Sequence, residues 1–288
     1  MIGTGDEKLG IADPFRPLST DLQSRIQVIY PPLQLDHFIK KHHCDRVLEC
    51  LQPRHDKPTL LFIGRLDHQK LPGLFLKVAK NILKTKVVIA GGGPLAMSLR
   101  RETTVNPEFM ELSRRLEWKG SLDQKTIPDV LTSASKSVFL MTSSHEGVPI
   151  VALEALGMGT PLVTCQCGGI EEIIRDPVWN SVPKIVYLTG PSGRRFAIER
   201  YDHASLIMVD CQSLFGTPDR MVYEDIVFLM VSEVKKRFEK LEQEAAREPS
   251  STIAQNQRWI RSASFRQKYG SDSFKEKWRQ TIDNLLMY

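Results

Sequence analysis

Glu146 and Glu154 are carboxylates eight positions apart within Ser143–Pro161, with Gly147, Pro149 and an apolar run between them. The residues just before, Ser137–Thr142, have the continuous apolar character of a buried strand. Pro149 suits the first turn of a helix, where a missing N–H costs nothing. Glu146 is therefore expected in a strand-to-helix loop, and Glu154 about one and a half turns into the helix. The helix start beside Gly147 offers free backbone N–H groups to a phosphate. Two acids framing a phosphate position predict a ligand with hydroxyls at both ends, such as a sugar nucleotide.

A second cluster supplies the cations such a ligand needs. Leu60–Ile63 reads as a strand running into Gly64-Arg65, with Lys70 shortly after. Open α/β sheets bind ligands at the carboxyl ends of parallel strands. There an Arg can grip phosphate oxygens bidentately and a Lys adds a mobile point charge. Read alone, the pair also fits two solvated surface cations. Gly91-Gly92-Gly93-Pro94-Leu95-Ala96 formally matches the dinucleotide fingerprint, with Glu111 or Glu117 as the acid some way downstream. Two strand patterns already precede it, and Glu111 does not fall at a strand end, so an NAD-type enzyme is the lesser reading. His42-His43-Cys44 with Cys50, and Cys165-x-Cys167, lack a second pair at ligand spacing, and no metal is expected. Cys165 and Cys167 are expected to pack. His145 fits either a contact to the sugar or an exposed loop.

These residues need a scaffold, and the chain alternates strand and helix patterns as a parallel sheet with crossover helices does. Strands are expected at Ile26–Tyr30, Thr59–Ile63, Lys86–Ala90, Leu116–Lys119, Ser137–Thr142, Pro161–Thr164 and Lys184–Leu188. Helices are expected near His37–Leu51, Pro72–Leu83, Leu95–Glu102, Lys125–Ser133, Ile150–Leu156 and Gly169–Ile174. A long charged amphipathic helix follows at Tyr223–Arg247, then a polar break at Glu248–Ser251 and helical stretches at Ala254–Lys268 and Ser273–Leu286. The fold class is α/β, a doubly wound, Rossmann-like parallel sheet with a helical C-terminal tail. Residues 1–25 read as a linker or edge, 26–190 as the sheet-forming domain, 191–222 as an irregular insertion and 223–288 as a tail packing on the domain.

Composition narrows the class without choosing within it. The 288 residues are 41% hydrophobic and 25% charged, with no apolar run long enough for a transmembrane helix. A net charge of +5, spread along the chain, allows anionic ligands or a membrane surface but does not argue for nucleic acid. The N-terminus lacks a signal-peptide pattern, and five unpatterned cysteines fit a reducing compartment. A cytoplasmic protein, peripheral at a membrane surface if its acceptor is lipid-linked, is the expectation.

Taken in order, Val28–Pro32, Gly64-Arg65…Lys70, Gly91–Pro94, Gly120 after Trp118-Lys119, Glu146…Glu154, Gly159-Thr160-Pro161 and Gly168–Glu172 resemble the C-terminal half of GT-B glycosyltransferases. The resemblance is to the retaining family 4, or glycosyltransferase group 1, over about Ile26–Ile174. It implies that Arg65 and Lys70 hold the diphosphate of a nucleotide-sugar donor and stabilise the leaving group without a metal. It also implies that Glu146 lies beside the donor sugar, with the amides of Gly147, Val148 and Ile150 near sugar and phosphate oxygens. Glu154 would accept from the ribose hydroxyls, and Gly93 and Gly120 would lie near the base. Gly64 provides the turn that carries Arg65. Two surface readings stay open: Glu154 as a helix-surface acid, and Glu172 as an N-terminal helix charge.

Two departures qualify the implied activity. The chain begins where the family's second domain begins, so turnover is expected to need an N-terminal GT-B half or a partner subunit. Arg175–Arg220 is longer and less regular than the family's loop. The leading expectation is the donor half of a retaining hexosyltransferase acting on an unidentified acceptor. The alternatives are a non-catalytic nucleotide-sugar-binding or scaffold protein of the same fold and a nucleotide-sugar epimerase.

Overall fold

The computed structural model describes residues 32–33, 57–134, 136–177, 182–210, 219–247 and 268–286. The expected strand at Ile26–Tyr30, the helix at His37–Leu51, the 1–25 segment, the Cys44 and Cys50 positions and most of Ala254–Lys268 lie outside these residues. Eight strands form one sheet: β1 (Thr59–Ile63), β2 (Lys86–Ala90), β3 (Leu116–Gly120), β4 (Ser137–Met141), β5 (Leu162–Gln166), β6 (Lys184–Thr189), β7 (Arg195–Arg200) and β8 (Ala204–Asp210). Their order is β3-β2-β1-β4-β5-β8-β7-β6. Pairing is parallel from β3 through to β8. The β8–β7 and β7–β6 pairs are antiparallel.

Helices cover both faces. They are α1 (Pro72–Lys80), α2 (Ala96–Val105), α3 (Met110–Ser113), α4 (Ile127–Leu131), α5 (Ile150–Gly157), α6 (Ile170–Ile174), α7 (Arg220–Arg247) and α8 (Ser271–Leu286). The alternation of a strand sorts the core into two layers. Leu60 and Phe62 of β1 join Leu74, Phe75 and Val78 of α1 and Leu229, Met230 and Val234 of α7. Leu61 and Ile63 face the other way, toward Ala152, Leu153 and Leu156 of α5 and Ile170 and Ile173 of α6. A strand buried on both faces is continuously apolar, as β1 and β4 are. That is the doubly wound arrangement expected.

Two expectations are corrected. The sheet does not end near residue 190, because 195–200 and 204–210 of the supposed irregular insertion are β7 and β8. β8 lies parallel beside β5, well inside the sheet. β7 escaped because Arg195, Glu199 and Arg200 leave only the short apolar run Phe196–Ile198 between charges, and both of its pairings are antiparallel. Pro149 stands at the N-cap of α5 with extended backbone, one residue ahead of the first helical turn. In the tail, α7 packs against α1, β4, β5 and β8. Arg237 anchors it, donating to the carbonyls of Tyr201 (2.8 Å) and Asp202 (2.9 Å) and to Ser205 Oγ (3.0 Å).

Candidate donor-binding crevice

The chain leaves β1 to one side, forms β2 and β3, and returns on the other side of β1 as β4. Strand order therefore reverses between β1 and β4, where such sheets open a crevice at their carboxyl ends. The two loops lining that crevice carry the predicted residues: Gly64–Leu71 after β1 and Thr142–Pro149 after β4. Backbone and hydroxyl groups stitch them together. Ser144 N–H and Oγ donate to the Gln69 carbonyl (2.7 and 3.1 Å), and Thr142 Oγ1 donates to that of Lys70 (2.8 Å). Gln69 Nε2 returns a bond to the His145 carbonyl (2.9 Å). Lys70 N–H donates to Asp67 Oδ1 at 3.1 Å, fixing the turn that presents its side chain.

Lys70 Nζ reaches across and pairs with Glu146 Oε1. Both side chains are mostly buried there, and two residues seventy-six positions apart share one contact at the switch point. Arg65 does not join them. Its side chain is 71% exposed and pairs with Asp67 at 3.4 Å, so it stands at the crevice rim.

A third loop, after β5, locks Glu146 from behind. Glu146 N–H donates to the Cys167 carbonyl (2.6 Å), and Gly169 N–H donates to the Glu146 carbonyl (3.1 Å). Gly168 has φ +95°, and a Cβ on Gly169 would collide with the Gly147 carbonyl oxygen. Only glycine fits this close approach. Ser143 Oγ, in the same β4 loop, is buried without a hydrogen-bond partner among the described residues.

Glu154 sits in the second turn of α5 and is only 3% exposed. Burial pushes its carboxyl up to about 7, partly opposed by a hydrogen bond from Gln124. The surface-acid reading of Glu154 is thereby excluded. Pro149 is buried, whereas Gly147, Val148 and Ile150 are exposed at the helix start, where their amides face no strand ladder. Glu171 has Oε2 buried without a partner among the described residues, and burial raises its carboxyl.

The glycine cluster after β2 serves packing between loops. Gly91 has φ +149°, and a Cβ there would overlap the Gly64 carbonyl oxygen. Gly64 N–H donates to the Ala90 carbonyl (2.9 Å), Leu66 N–H to that of Gly92 (2.8 Å), and Gly91 N–H to that of Gly120 (2.7 Å). Gly64, Gly93 and Gly120 are thus gathered at adjacent strand ends beside the crevice. The acids that a dinucleotide site would use are occupied elsewhere: Glu111 in α3 pairs with Arg114, and Glu117 on β3 pairs with Lys86 and Lys119. Cys165 and Cys167 are buried free thiols.

The loop-stitching residues Gln69, Thr142 and Ser144 had no role in the sequence reading. Their signal is adjacency to Lys70 and Glu146, because a polar residue next to a functional one is placed to fix its backbone. Gln124 carries no sequence signal, since its contact with Glu154 depends on how α5 and the turn at Gln124–Thr126 pack.

Residues 49–183 match the family model of the glycosyl transferases group 1. This segment, which holds the crevice, is thus similar to the glycosyl transferases group 1. The D-inositol 3-phosphate glycosyltransferase of Mycolicibacterium smegmatis is 27% identical over 157 residues, covering 54% of this chain and 36% of the relative. An uncharacterized glycosyltransferase of Methanocaldococcus jannaschii is 27% identical over 184 residues, covering 62% and 45%. The chain thus spans roughly a third to just under half of the length of these curated relatives. Among solved structures, WaaG, a glycosyltransferase involved in lipopolysaccharide biosynthesis, superposes with a TM-score of 0.53 at 13% identity, over 85% of this chain and 54% of that one. Anabaena Alr3699/HepE in complex with UDP gives 0.50 at 14% identity, over 90% and 57%. At such identities the likeness shows the fold alone.

Proposed function

We propose that the β1–β4 crevice binds a nucleoside-diphosphate sugar and forms the donor half of a retaining glycosyltransferase that transfers a hexose-type sugar. The observation that carries this reading is the Lys70–Glu146 pair at the topological switch point. In the free protein the ammonium is neutralised by the carboxylate, and both are poised where a sugar and its phosphates would meet. When donor binds, diphosphate oxygens take Lys70 Nζ as a partner, and Glu146 is freed to accept from sugar hydroxyls. Arg65, at the rim, swings from Asp67 to the diphosphate. As the glycosidic bond breaks, charge grows on the leaving diphosphate, and the two cations stabilise it without a metal. Glu154 takes the ribose hydroxyls, the amides of Gly147, Val148 and Ile150 hold phosphate and sugar oxygens, and the Gly93 and Gly120 turns lie against the base.

The acceptor side requires an opposing GT-B half or a partner subunit, whose closure would exclude water. Support comes from the family match and from the group 1 relatives; WaaG and Alr3699/HepE add the fold. Calorimetry with UDP, GDP and ADP in the presence of a chelator tests the binding claim. Binding of one of them without metal is expected, and binding of none would sink the reading.

A further inference from the structure

At the opposite end of the same strands lies a cavity of about 840 Å³. It starts at the amino ends of β1, β2 and β3, with Thr59, Lys86 and Leu116 in its lining. Asp129 and Val130 of α4, with Ser133 and Ala134 just beyond the helix, form another part of its wall.

The lining is unusually cationic. Among the described residues, Lys57, Lys84, Lys86, Arg114, Arg115 and Lys119 share the lining with two acids, Glu117 and Asp129, and Arg114 is paired outside it with Glu111. Lys86 (2.6 Å) and Lys119 share the single carboxylate of Glu117. Arg115 is half-buried and donates only to neutral oxygens, the Ala79 carbonyl (2.8 Å) and the Thr85 carbonyl and Oγ1 (3.1 Å each). Its burial disfavours the charge it carries. Lys57 and Lys84 make no ion pair with a described residue. Lys84 also has φ +62°, a left-handed conformation that a lysine adopts at a cost, and Thr85 Oγ1 bonded to the Ile82 carbonyl (2.8 Å) braces that turn. Strand alternation puts Lys86 and Val88 along one side of β2, and Lys84 joins them in the lining from the turn before the strand.

We propose that this cavity is a second anion site that takes a phosphate-bearing ligand, a soluble polyphosphorylated molecule or a lipid phosphate headgroup. A surplus of cations in a concave, partly desolvated setting is the arrangement that focuses a field on a multiply charged anion. The site is built from the bottom of the sheet and uses none of the crevice residues.

The test uses the full chain carrying Arg65→Ala and Lys70→Ala, so that the crevice cations are gone. Tripolyphosphate is titrated calorimetrically, and vesicles of phosphatidylcholine with or without phosphatidylglycerol are co-sedimented. Binding is expected in at least one arm, weakening as salt rises. Adding Lys57→Ser with Lys84→Ser should lower that affinity at least about fivefold, as loss of two partly exposed charge contacts implies. Lys57→Arg with Lys84→Arg should retain it. Tripolyphosphate binding alone assigns a soluble ligand, and vesicle binding alone assigns a headgroup. In the parent background the serine pair should leave UDP affinity unchanged. Binding in neither arm, binding indifferent to the serine pair, or a matching loss of UDP affinity overturns the proposal.

Discussion

Burial holds a proton on Glu154 that an exposed carboxyl would release. Its carboxyl titrates at about 7 in the fold against an ordinary value near 4.5, so between those values the folded chain binds more protons than the unfolded one. Stability from this group is therefore full below about 4.5 and declines as pH rises to about 7. His203 acts in the opposite sense. Burial, helped by Lys240, lowers it from 6.5 to about 4, so its contribution is full above about 6.5 and is lost as pH falls toward 4. Glu154→Gln removes the first slope and keeps the second. Thermal scans should show the variant gaining on the parent between pH 5 and 7, and a constant difference across that window would contradict the assignment. Arg65 offers the complementary case. Because it is exposed and its ion pair among the described residues is with Asp67 next to it in the same loop, Arg65→Ala should change stability by no more than about 0.5 kcal/mol. The same change should cost about tenfold in UDP affinity, and calorimetry beside denaturant melts separates the two effects.

At the scale of elements, close backbone approach decides where the crevice loops sit. Gly91→Ala would thrust a methyl onto the Gly64 carbonyl and push the β2 loop from the β1 loop. A cost of about 2–4 kcal/mol in urea unfolding is expected, since neither strand end can move far within the sheet. A Gly91→Ala protein as stable as the parent would show that the loops are softer than their packing implies. The legibility of the elements follows the same physics. β1, β2 and β4 announce themselves because a doubly covered strand must be apolar throughout, and Glu146 announces itself through the Gly and Pro that shape its loop. Ala204–Val209 carried the same kind of apolar run as the other buried strands, yet it was read as part of an insertion. β7 carried only the three-residue run Phe196–Ile198. That Lys70 would land on Glu146 could be anticipated from both following adjacent parallel strands, but that Arg65 would turn outward to Asp67 could not, because a loop has no fixed period from which a side chain's direction can be read.

For the whole molecule, the sheet is completed by chain that returns from its edge. After β5 the chain builds the outer β6–β7 hairpin before β8 slots in beside β5, an order no local pattern encodes. α7 then clamps this late addition to the rest. Glu233, fully buried on α7, receives a bidentate pairing from Arg200 of β7 (2.6–3.1 Å), and one turn on Arg237 ties the helix to the β7–β8 turn. Arg237→Met would remove the donor to the buried Tyr201 carbonyl and leave Glu233 and Arg200 without their neighbour, and the denaturant midpoint should fall by the equivalent of about 2–4 kcal/mol without a change in m. An unchanged midpoint would mean that α7 is held by its apolar face alone. What this framework presents to a donor is a cation and a carboxylate brought together from two loops where strand order reverses. The most direct measurement titrates UDP and uridine separately into the parent and Lys70→Ala proteins by calorimetry. The account predicts that UDP affinity falls about tenfold or more while uridine affinity is unchanged; equal losses for both ligands, or no loss for UDP, would contradict it.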